Sequence, residues 1–292
     1  MSRDRLVRAT RKLRNAIFPF GWGNITKLQL VYFFSTLYVY MPVGTLYLRS
    51  KNLSFLQINS LWGIIVFTKF LSEVPTGILA DRLGRRWAVQ AALGMQLLGE
   101  VIYLFADGYP GFVLSAVVAG IGFAFSSGCV EALAFDTLQA QGREMEMSKA
   151  LGAIEAVQRL ANLLAFGASA VLIRELTQAR FTGAVAVTAV MVGVGFLWSF
   201  TLDATGEDDG AEAVGSLTLL RQGLSLIRRN RTFRLLALVF LLTLPFRDYL
   251  GSLYQPHFVA AGVGASWFGL SLALAAGLRM IGSRYAYLLE EK

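Results

Sequence analysis

The residues on which chemistry could turn in this sequence are the few ionisable side chains set inside long apolar runs. Lys69 and Glu73 stand four residues apart, as do Glu155 and Arg159, so each pair shares a helix face and can neutralise itself. Glu100 has no such partner, and Glu131 lies within its apolar run, toward the end at Leu138. Pro245, Arg247 and Asp248 form a further group, in which the proline frees backbone carbonyls and permits a kink. A charge in hydrocarbon is expensive unless it is paired or faces water, so each of these residues is a candidate to bind a solute or carry a proton. Enzymatic chemistry has no support: no Ser/His/Asp set, catalytic carboxylate pair or metal-ligand cluster stands out, and no cofactor is implied. The lone cysteine, Cys129, excludes a disulfide framework. A GxxxxGK[ST] loop is missing too, which disfavours pumping driven by ATP.

The elements that must position these side chains are dictated by lipid. The chain has 292 residues, 55% of them hydrophobic, spread too evenly for a soluble protein. A bilayer core about 30 Å thick needs about 20 apolar residues per helix. Runs of that length predict spans at Leu28–Leu48, Ile58–Ala80, Trp87–Ala106, Phe112–Leu138, Ala150–Ile173, Phe181–Leu202, Phe233–Gln255 and Trp267–Leu289. The expected fold is therefore all-α, a polytopic bundle of about eight helices. Open sheets are excluded because lipid leaves their edges unpaired, and barrel-type alternation is missing. At about 1.5 Å per residue, Glu131 lies about 11 Å from its helix end, Glu155 about 9 Å and Arg159 about 15 Å, so the three can meet in one cavity. Ala116, Gly120, Ala124, Gly128 and Ala132 form a small-residue ridge expected to pack against a neighbouring helix.

The net charge of +8 does not point to nucleic acid, because the basic residues form no stripe interleaved with aromatics. They sit in alternate loops. One set holds the N-terminal arginines with Lys27, then Arg82, Arg85 and Arg86, then Arg143 and Lys149, then Arg221 to Arg234; the other holds only Arg49, Lys51, Arg174 and Arg180. The excess marks the cytoplasmic side, which places both termini there in a multi-pass protein of the cell membrane. Residues 1–27 form a basic segment that runs too long, with no cleavage site, to be a removable signal. Residues 28–202 make a six-helix bundle and 203–232 a linker that opens acidic and closes basic, and 233–292 begin a second bundle.

Between the second and third spans lies EVPTGILADRLGRRWAV. With Gly77, Leu79, Ala80, Asp81, Arg82, Gly84, Arg85, Arg86 and Val89 on its pattern, this stretch resembles the signature loop of the major facilitator superfamily. Local physics fits a latch: glycines allow tight approach and a sharp turn, Asp81 can face a helix N-terminus, and arginines offer fork-shaped donors. The resemblance implies that Asp81 faces a helix of the second half and that Arg85 pairs with Asp136 at the end of the fourth span, a network that stabilises the outward-open state. It also implies secondary active transport of a small organic solute by alternating access, with protons as the coupling ion. Two departures from drug–proton antiporters of that superfamily stand out: no arginine within the fourth span and no Gly-Pro signature in the fifth.

Aromatic residues of the first span, Tyr32, Phe33, Phe34, Tyr38 and Tyr40, would suit a pocket for an amphipathic organic molecule. The final stretch, GSRYAYLLEEK, resembles the approach to a second signature loop. A rival expectation follows, that of a truncated, non-transporting membrane protein or a subunit of an obligate assembly.

Overall fold

The computed structural model describes residues 20–204, 230–232, 234, 235, 238, 239 and 254–285, with side chains in the last stretch up to 278. The described residues fold as α-helices and short 3-10 turns, without a strand. The helices are α1 (Asn24–Ser35), α2 (Gly44–Ser50), α3 (Phe55–Leu83), α4 (Arg85–Phe105), α5 (Tyr109–Ser126), α6 (Cys129–Gln139), α7 (Met147–Leu172), α8 (Gln178–Ser199) and α9 (Ser266–Tyr285). Helix α3, 29 residues long, starts at a capping box in which Ser54 and Gln57 satisfy each other's backbone donors. It ends at Gly84, whose φ of +92° turns the chain directly into α4. Only glycine tolerates such a backbone cheaply.

Among the described residues four stretches are long and apolar enough to cross a membrane: Phe55–Leu83, Arg85–Phe105, Tyr109–Gln139 and Gln178–Ser199. Their outward faces remain greasy. Val66, Phe67, Phe70 and Leu71 of α3, Leu98 and Phe105 of α4 and Leu197 of α8 are all exposed, a surface suited to lipid and not to water. Helix α4 packs on α5 and α8, α3 on α5, α1 on α7 and α8, and α9 on α7. Two apolar cores result. One gathers Tyr47, Phe112, Ile173, Phe181 and Phe268 at the end that carries Lys51; the other gathers Leu28, Leu93, Leu133, Leu138 and Leu202 at the end that carries Asp81.

Two expected spans are interrupted. The first is not continuous over Leu28–Leu48: α1 stops at Ser35, residues 36–40 form an irregular stretch and a 3-10 turn at Met41–Val43 precedes α2. Pro42 lies within that turn. The fourth breaks at Ser127 and at Gly128, where φ is +77°. Gly128 is therefore a hinge and not part of the packed ridge, since a Cβ there would meet nothing within 4 Å. Gly120 does pack, its hypothetical Cβ lying 2.8 Å from the Ile65 carbonyl and from Thr68 Cβ. Most of the seventh span, the basic N-terminal segment up to residue 19 and most of 203–232 lie outside the described residues, although Tyr254 and Gln255 at the end of that span lie within them.

Close helix approach makes a sharp prediction. Replacing Gly120 by Val forces α3 and α5 apart and should lower stability by about 1–3 kcal/mol, read as a fall in the midpoint of thermal unfolding in detergent. Gly152→Val, where a Cβ meets open space, should change the midpoint far less.

Candidate functional site

Helices α3, α6 and α7 turn ionisable side chains toward one another. Lys69 and Glu73 pair at 3.7 Å along α3, and Arg159 pairs with Glu155 at 3.3 Å along α7. A cavity of about 380 Å³ is lined by Tyr32, Lys69, Ser127, Glu131, Glu155 and Gln158 among others. Glu131 enters it from the first turn of α6, where the helix N-terminus is favourable to negative charge, and the Gly128 hinge is what starts a new helix at that depth. Among the described residues Glu131 belongs to no ion pair. A second cavity of about 260 Å³ adjoins through Ser127 and is lined by Glu73, Thr76, Gly77 and Cys129. Glu73 also accepts a 3.4 Å contact from the Ser127 hydroxyl. The structure thus places Lys69, Glu131 and Glu155 on one cavity and Glu73 on the next, whereas Arg159, expected to meet Glu131 and Glu155 in one cavity, lines neither and only pairs with Glu155 along α7.

At the Asp81 end, the α3–α4 turn is tied across to α6. Arg85 pairs with Asp136 at 2.5 Å and donates to the Ala132 carbonyl at 3.0 Å. Arg86 donates to the Phe200 carbonyl at 3.0 Å, beyond the end of α8. Asp81 and Arg82 are exposed and form no ion pair among the described residues. Gly77 makes no tight helix approach: it borders the smaller cavity, and a Cβ there would have open space. Nearby, the Arg143 guanidinium and then the Lys149 ammonium hold the Glu146 carboxyl down to about 2. Whatever stability this loop clasp adds is complete above the ordinary carboxylate range and lost only as pH falls toward that value.

The opposite end carries a site that sequence reasoning missed. Across the break in the first span, Val39 N–H donates to Thr188 Oγ1 at 3.0 Å. The Gln255 carboxamide accepts from the N–H groups of Thr45 and Leu46 at 2.8 and 3.3 Å, and donates to the Met41 carbonyl at 3.3 Å. Tyr254 donates to the Pro42 carbonyl at 2.8 Å. Behind the break, Tyr40 donates to Glu100 Oε1 at 3.1 Å and Gln96 donates to the Tyr38 hydroxyl at 2.6 Å. Of the first-span aromatics, Tyr32 lines the charged cavity, whereas Tyr38 and Tyr40 turn toward Glu100 and away from it. Pro42 and Gly44 inside the first span were the signal for the break; Gln255 had none, because its partners lie about 210 positions away in sequence. His257 is exposed at this end, and Pro245, Arg247 and Asp248 lie outside the described residues. No cluster of metal-ligating side chains occurs among the described residues.

Long apolar helices, a greasy outer surface and charged side chains facing a cavity between helices define a polytopic membrane protein of the helical-bundle class. A family model described as "Major Facilitator Superfamily" matches residues 28–289. The chain is 28% identical over 93 residues to "Uncharacterized MFS-type transporter YxaM" of Bacillus subtilis, across 32% of this chain and 23% of that one. It is 28% identical over 135 residues to "Inner membrane transport protein YajR" of Escherichia coli, across 46% of this chain and 28% of that one. Those alignments span less than a third of the length of either relative. Among solved structures, the nucleoside transporter NupG (D323A mutant) superposes with a TM-score of 0.69 at 13% identity, covering 92% of this chain and 69% of that one. A D-xylose-proton symporter gives 0.60 at 16% identity, covering 92% and 68%. This chain belongs to the Major Facilitator Superfamily.

The capped break yields its own prediction. Thr188→Val keeps the shape but removes the acceptor for a buried N–H, which costs about 1–3 kcal/mol, and Thr188→Ser restores it; thermal unfolding of the purified variants should rank wild type and Ser above Val.

Proposed function

We propose that this protein is a secondary active transporter that moves a small organic solute across the cell membrane by alternating access, driven by protons. The observation that carries the reading is the cavity shared by Lys69, Glu131 and Glu155 between apolar helices. Ionisable groups placed there have a use only if water or a solute reaches them. Glu131, outside the ion pairs of the described residues, is the group placed to take up the coupling proton, while Tyr32 and Gln158 supply a ring face and an amide to an organic solute. Structural neighbours whose names give a nucleoside transporter and a D-xylose-proton symporter support a polar organic cargo.

Orientation in this reading follows the basic loops, with the Asp81 end and both termini cytoplasmic. Residues 28–202 then form one bundle, 203–232 the linker and 233–292 the start of the second bundle. The Arg85–Asp136 pair fixes the α3–α4 turn, and the exposed Asp81 is left to engage the second bundle when the cytoplasmic side closes. Gly77, Arg82, Gly84 and Arg86 complete this latch.

Purified protein in liposomes, given an imposed pH gradient and a panel of sugars, nucleosides and amphipathic amines, tests the proposal. At least one solute should accumulate in proportion to the gradient. Glu131→Gln should reduce that uptake at least tenfold, and Asp81→Asn or Arg85→Ala should reduce it with insertion intact. The half-exposed Arg85 pair is worth about 1 kcal/mol or less to stability, and thermal unfolding of Arg85→Ala, measured beside flux, separates loss of the latch from loss of the fold. Gradient-independent uptake would remove the proton-coupled reading, and full uptake in Glu131→Gln and Glu155→Gln alike would remove these two acids as its proton carriers.

A further inference from the structure

Glu100 is 8% exposed, in the half of α4 nearest the Lys51 end, and the charged cavity does not include it. One carboxylate oxygen accepts the Tyr40 hydroxyl at 3.1 Å; the other, Oε2, is buried with no hydrogen-bond partner among the described residues. The ion pairs of the described residues all lie elsewhere, the Lys51–Asp107 pair at the surface being one of them. What faces Glu100 is a nest of phenols: Tyr40 and Tyr38 from the break in the first span, and Tyr103 from its own helix, stacked on Tyr40 with ring centroids 5.2 Å apart. Beyond them stand Tyr47 of α2 and Phe112 of α5, both against Tyr103. From α5 the contact is neutral, a Ser115 hydroxyl donating to the Gly99 carbonyl.

We propose that Glu100 is a proton-binding site coupled to the break in the first span, separate from the acids of the charged cavity. The chemistry follows from what each protonation state can do with its neighbours. Ionised, the carboxylate offers only acceptors and draws the tyrosine hydroxyls toward it; protonated, one oxygen becomes a donor and stops competing for those hydrogens. Both Tyr38 and Tyr40 belong to the irregular stretch itself. A proton gained or lost at Glu100 therefore changes the hold on residues 38–40, and the next residues are those clasped by Tyr254 and Gln255. The gained proton enters from water and returns to it, with no other group altered.

This inference adds a second titrating site to the proton-driven reading above, yet its test needs no transported solute and so stands or falls by itself. Infrared difference spectra of the purified full chain, recorded from acidic to alkaline pH, read the C=O stretch of protonated carboxyls directly. A titrating band should be lost entirely in Glu100→Gln and should shift in Tyr40→Phe, whose otherwise natural carboxyl loses one donor. A band untouched by Glu100→Gln, or one that disappears in that variant but never titrates in the wild type, would overturn the proposal. If Glu100→Gln does not fold, an unshifted spectrum in both Tyr40→Phe and Tyr38→Phe overturns it equally.

Discussion

Hydrocarbon supplies no hydrogen bonds, so a helix that breaks inside a membrane must find partners for every backbone group it releases. The first span breaks between Ser35 and Gly44, and the arrangement of this end of the molecule follows from how that debt is settled. Thr188 of α8 takes the Val39 N–H, and Gln255 takes two N–H groups in the first turn of α2. The second of these partners comes from the far side of residues 203–232. A helix cap, ordinarily a local device, here joins segments distant in sequence.

The same constraint explains the second break. At Gly128 the chain changes direction with a positive φ that other residues adopt only under strain, and α6 begins afresh with its positive N-terminal end on the cavity that Lys69 and Glu155 also line. That start point is where Glu131 stands. Had α5 continued straight, this carboxylate would have lacked both the favourable helix end and the opening toward Lys69 and Glu155. Small residues then set the spacing of the surrounding helices, most tightly at Gly120 against α3 and at Gly269, where a Cβ would run into the Phe166 carbonyl of α7.

Helical class and most span positions were legible because lipid imposes a simple rule on composition. The predicted third span, Trp87–Ala106, matches α4 at Arg85–Phe105 closely, since Gly84 and the polar loop beyond Phe105 mark both ends. Interruptions were not legible by that rule. Averaged hydropathy runs smoothly through Tyr38 to Leu48 and hides Pro42, and the four-residue spacing of small side chains made Gly128 look like its neighbours. Pairing along one helix, as for Lys69–Glu73 and Glu155–Arg159, could be read from spacing; contacts between helices, such as Tyr40 with Glu100, required the fold.

Alternating access, as proposed, requires the two ends of the molecule to open in turn, and distance distributions between nitroxide labels read that motion. One pair, at Asn52 and Val259, spans the Lys51 end; a second, at Gln141 and Asn230, spans the Asp81 end. In liposomes at varied pH the two pairs should each sample a short and a long distance, one lengthening as the other shortens, and Gln255→Leu should shift the first pair toward the long distance. A single fixed distance at both ends under every condition, unmoved by Gln255→Leu, would contradict the account.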